Sequence, residues 1–84
     1  MPSRNSIEAE IAAQVAARGA GKTICPSEVA RALSDDWRGL MPEVRAVAGA
    51  MVRDGRIIAT QGGAVIDPER ARGPIRLGLP ESRG

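Results

Sequence analysis

Hydrophobic positions recur at helical spacing through the first two thirds of the chain, then switch to the two-residue alternation of a strand after Gly55. Ile7, Ile11 and Val15 stand four apart on one face of a first helix. Asn5 or Ser6 can cap it, with Glu8 three residues beyond Asn5 in the capping-box arrangement. It is expected to run to about Arg18, where Gly19 stops it and Gly21 extends the break. Lys22-Thr23-Ile24 has room for one extended pairing. Cys25-Pro26-Ser27-Glu28 then reads as a second helix start, because proline at the first helical position gives up only an N–H that has no partner there. Glu28 lies near the positive end of that helix, whose inner face is Val29, Ala30 and Leu33. Ser34-Asp35-Asp36 ends it, and either aspartate can cap a short turn carrying Trp37 and Leu40.

Pro42 is expected to open the third helix, in which Leu40, Val44, Val47, Ala48, Met51 and Val52 follow the 3.6-residue period until Gly55. Arg56 to Gln61 reads as a strand and Ala64-Val65-Ile66 as its return. The hairpin turns either at Gly62-Gly63 or across the longer polar loop to Gly73. Pro74-Ile75-Arg76-Leu77 is a last strand begun by an edge proline. Three helices, an extended segment between the first two, and a terminal hairpin predict an α+β winged helix-turn-helix with a C-terminal β-hairpin wing. It forms one domain over residues 6–78, with flexible tails at 1–5 and 79–84. Val29, Leu33, Leu40, Val44, Val47 and Met51 should meet Ile7, Ile11 and Val15, with Ile57 or Ile58 and Ile75 or Leu77 closing the core from the sheet side.

Composition narrows the chemistry. A chain of 84 residues has room for one core, and with Trp37 its only aromatic residue that core is aliphatic and alanine-rich. Trp37 is therefore expected to pack inward. A single cysteine, Cys25, forbids an internal disulfide, and the absence of histidine removes the usual general base and any Cys-His pair. Cys25 is expected to be buried or to cap the second helix. Gly21-Lys22-Thr23 resembles the end of a phosphate-binding loop, but Ala16 stands where the pattern needs glycine, and a helix precedes it instead of a strand. The acidic pairs Asp35-Asp36 and Glu8 with Glu10 are expected to be solvated. No catalytic residue, metal site or cofactor is expected, nor enzyme activity. No stretch approaches the roughly 20 apolar residues of a membrane span, and no apolar leader follows Met1, so a cytoplasmic protein without a membrane partner is expected.

Charge supplies the candidate function. The net charge of +2 is uneven: residues 1–52 carry six basic and six acidic side chains, and 53–84 carry six and four. Eleven of the twelve basic residues are arginine, the side chain suited to bidentate contact with phosphate or carboxylate. On the third helix Glu43, Arg45, Ala46, Gly49, Ala50 and Arg53 face outward. Arg45, Gly49 and Arg53 share a stripe in which two guanidinium groups flank a flat surface fit to approach a groove of duplex DNA. Asn, Gln, Ser and Thr, common base readers, are absent from that helix, so sequence-specific readout is expected to be weak. Arg70 and Arg72 on the wing loop, with Arg56 and Arg76 on flanking strands, complete a candidate nucleic-acid surface. Four phosphate contacts predict a log–log salt slope of about −3.6. Two alternatives stand beside it. Arg70 and Arg72 can pair with Asp67 and Glu69 at the surface, and the small-residue face at Ala46, Gly49 and Ala50 can pack on a protein partner or a second copy of this chain.

Three separated runs carry a family resemblance. Lys22-Thr23-Ile24-Cys25-Pro26-Ser27-Glu28-Val29-Ala30, Asp36-Trp37-Arg38-Gly39-Leu40-Met41-Pro42 with Val44-Arg45, and Arg72-Gly73-Pro74-Ile75-Arg76-Leu77 resemble the bacterial domain-of-unknown-function 3253 family. The likeness extends from about residue 6 to 78. It implies a winged-helix-like fold and no particular activity.

Overall fold

The first helix, α1, spans Arg4–Arg18 and is capped by Ser3, whose hydroxyl accepts the Ser6 N–H at 3.1 Å. Neither Asn5 nor Ser6 is the cap; both lie inside the first turn, and the helix begins two residues before the expected domain boundary. The computed structural model describes residues 2–80. Of the tails expected to be flexible, Met1 and residues 81–84 lie outside the described residues, whereas Leu79 packs partly buried against the core. Gly19 closes α1 at φ 86°, a backbone conformation open to a residue without Cβ.

A two-residue strand, β1 (Thr23–Ile24), leads into α2 (Pro26–Leu33). Pro26 is at the first helical position as expected, and the Glu28 carboxylate accepts the Cys25 N–H at 2.7 Å. Residues 34–36 connect α2 to α3, which spans Trp37–Arg53. The helix does not open at Pro42. Trp37 and Leu40, expected in a separate turn, form its first turn, and Pro42 sits inside. A proline there deletes one N–H, which so near the N-terminus leaves only the carbonyl one turn earlier without its intrahelical partner. Burial of Leu40 and Val44 on the same face accounts for the helix continuing through it.

Beyond α3 come β2 (Ile58–Gln61), β3 (Ala64–Val65) and β4 (Arg76–Gly78). All pairings are antiparallel in the order β1-β4-β2-β3, so β4 is inserted between the segment that precedes α2 and the first arm of the hairpin. The hairpin turns at Gly62-Gly63, with φ 60° and 86° and Gln61 opposite Ala64. Two successive positive φ values match the two-residue turn whose twist suits a hairpin. Gly78, the last residue of the expected domain, is paired with both Thr23 and Ile58.

The helices bury one face of this sheet. Ile7, Ile11 and Val15 from α1, Val29 and Ala30 from α2, and Leu40, Val44, Val47, Ala48 and Met51 from α3 meet Ile24, Ile57, Ala59, Ile75 and Leu77. Of the alternatives left open by the alternation, Ile57 is buried and Ile58 is half-buried, while both Ile75 and Leu77 are inside. Leu33 and Trp37 pack at the edge of the cluster and are only partly buried. The result is an α+β, winged-helix-like domain. No helix among the described residues is long and apolar enough to cross a membrane.

Candidate nucleic-acid interface

The segment between β3 and β4 decides what α3 can present. Asp67 builds a turn in it by accepting the N–H groups of Arg70 and Ala71 on its carbonyl and that of Glu69 on its side chain, at 2.9–3.1 Å. Pro68, next in sequence, is buried. The turn is thereby seated on the outward stripe of α3. Arg45 donates from Nη1 to the Ala71 carbonyl at 3.0 Å and from Nη2 to the Gly73 carbonyl at 2.5 Å. Gln61 adds bonds to the carbonyls of Arg72 and Pro74. Glu69 lies over Gly49 and pairs with Arg53 at 3.0 Å.

The arginine stripe of α3 is therefore where the wing loop docks, not an open face. Gly49 is buried, and a Cβ at that position would stand 2.8 Å from Glu69 Cγ. The small-residue surface at Ala46, Gly49 and Ala50 is interrupted at its centre for the same reason. Helical spacing places the three residues outward correctly; it carries no information about a loop twenty residues later that fills the flat spot.

Two of the expected strand contacts are drawn elsewhere. Arg56 precedes β2 and pairs with Glu8 of α1 at 2.7 Å, so Glu8 is not simply solvated. Arg76 reaches across β4 to β1, donating to Thr23 Oγ1 at 2.8 Å, to the Thr23 carbonyl at 3.1 Å and to Cys25 Sγ at 2.7 Å. Cys25 is half-buried at the α2 cap, in line with the capping role expected of it. Arg70 and Arg72 are exposed, and among the described residues neither forms an ion pair with Asp67, Glu69 or any other carboxylate.

A cationic residue absent from the sequence-derived set joins them. Arg38 projects from the first turn of α3, with its guanidinium 4.5 Å from the centroid of the Trp37 ring; Arg31 of α2 lies 4.4 Å from the same ring. The indole thus serves less as core than as a flat support that holds guanidinium groups in place by cation–π attraction. Spacing offered a signal: Arg38 is seven residues before Arg45, two helical turns along one face. Between them an open groove of about 510 Å³ is lined by Arg38, Met41, Pro42, Arg45, Ala46 and Glu69.

The charges around this groove do not cancel. Glu69 is offset by Arg53. Arg45 is bound to uncharged carbonyls, which fix its position, leave its charge whole and use two of its five donors. Arg38 and Arg45 thus line this groove on the N-terminal half of α3, while on the loop Arg70 lines a second groove with Gln61, Ile66, Asp67 and Ala71, and Arg72 is exposed.

The family model described as "Protein of unknown function (DUF3253)" matches residues 4–80. No curated protein matches the chain.

Proposed function

The chain belongs to the DUF3253 family, and we propose that it binds duplex nucleic acid through phosphate contacts from Arg38, Arg45, Arg70 and Arg72. One observation carries this proposal. Among the described residues these four arginines have no carboxylate partner, and they come from α3 and from the loop docked on it. Phosphate contacts set register and orientation and supply most sequence-independent affinity. The occupied stripe at Gly49 and Arg53 argues against base readout by the middle of α3, so binding is expected to discriminate little between sequences.

Titration of a short duplex DNA at increasing salt tests this directly. Four contacts predict a log–log slope of about −3.6, and Arg70→Ala with Arg72→Ala should flatten it by about two contacts' worth, roughly 1.8. Both side chains are exposed and without side-chain partners among the described residues, so their loss should leave the fold intact. Absent binding, or binding indifferent to salt, refutes the proposal.

A further inference from the structure

Glu69 is the one carboxylate among the residues that line the groove, and its position is specific. It lies on the single residue of the α3 stripe that has no side chain, and it pairs with the stripe's last arginine. A position without a side chain next to an arginine leaves room for a phosphate to reach that guanidinium. We infer that the Glu69 carboxylate occupies a fifth phosphate seat, formed by Gly49 and Arg53, and acts as an intramolecular gate that a phosphate group displaces.

The gate is built to move without the loop. The seat of the loop is Pro68, buried, together with the Asp67 turn and the two Arg45 bonds, and none of these involves the Glu69 side chain. The Arg53–Glu69 pair itself is well solvated, at 61% and 40% side-chain exposure. Exposed pairs of this kind are weakly held. Rotation of one flexible side chain then releases Arg53 and uncovers Gly49, while Arg45 and the loop arginines stay in register. The inference rests on the proposed phosphate-binding function and adds to it a competing internal anion.

Duplex DNA titrations with the full chain test the gate, comparing the unaltered protein with Glu69→Gln, Glu43→Gln and the double variant Arg53→Ala/Glu69→Gln. Glu43→Gln removes the same charge, from the helix that carries the seat, without touching the seat. Glu69→Gln should bind about three- to tenfold more tightly, beyond any gain from Glu43→Gln. Its salt slope should steepen by at most about 0.9, one further phosphate contact, to the extent that Glu69 keeps that phosphate out of the unaltered protein's complex. The double variant should lose that extra gain. Equal gains from Glu69→Gln and Glu43→Gln, or a gain that survives loss of Arg53, overturn the gate while the salt-dependent binding of the unaltered protein stands. Absence of binding by every variant overturns both.

Discussion

Gly49 shows how one missing side chain organises the surface. In the middle of a helix glycine is less favourable than alanine by about 0.5–1 kcal/mol, and here the vacancy is filled by Glu69 from the wing loop. Gly49→Ala sets two small effects against each other. Helix propensity returns about 0.5–1 kcal/mol, and displacement of Glu69 costs at most about 1 kcal/mol for an exposed pair. Stability in urea should thus change by no more than about 1 kcal/mol. A loss of about 2 kcal/mol or more would mean that the whole loop, not one side chain, had been pushed off. The outward direction of Gly49 was legible in the sequence. Its occupancy was not, because the filling residue lies on an irregular segment whose path no periodicity encodes. Arg56 and Arg76 teach the same lesson: their partners, Glu8 and Thr23, are 48 and 53 residues away in the chain.

At the scale of elements, the changes of period were the strongest guide. Four-residue spacing identified α1, Pro26 marked the start of α2, and the alternation after Gly55 located the sheet. The paired glycines at 62 and 63 left two turns open, and their positive φ values place the turn there. The start of α3 differs from expectation because Pro42 satisfies a general rule for helix starts, while burial of Leu40, two residues earlier, outweighs it. A helix that runs through a proline carries a local deficit, so Pro42→Ala should raise stability by about 1–2 kcal/mol, less than the full penalty of a central proline because the residue lies near the helix start. Thermal unfolding checks this. An unchanged or lower melting temperature would show that the missing hydrogen bond is already compensated. Caps are less legible than periodicity: three residues of capping type precede Ile7, and local sequence does not decide which of Ser3, Asn5 and Ser6 turns its oxygen inward.

For the whole molecule, a net charge of +2 gives little warning of how its arginines are spent. Three carboxylates take up Arg18, Arg53 and Arg56, and Thr23 with Cys25 holds Arg76. The arginines left without carboxylates on α3 and the wing loop come from both ends of the sequence-derived expectation: Arg45 from the helix, Arg70 and Arg72 from the wing. Arg38 completes the set because Trp37, the chain's only aromatic residue, supports it at the domain edge instead of filling the core. Amide chemical-shift mapping with a short duplex DNA at low salt tests this placement most directly. Perturbations should concentrate at residues 38–46 and 70–73 and fade as salt is raised over the range in which counterions compete for phosphate. Perturbations centred instead on α1 and β1, or none at all, would contradict it.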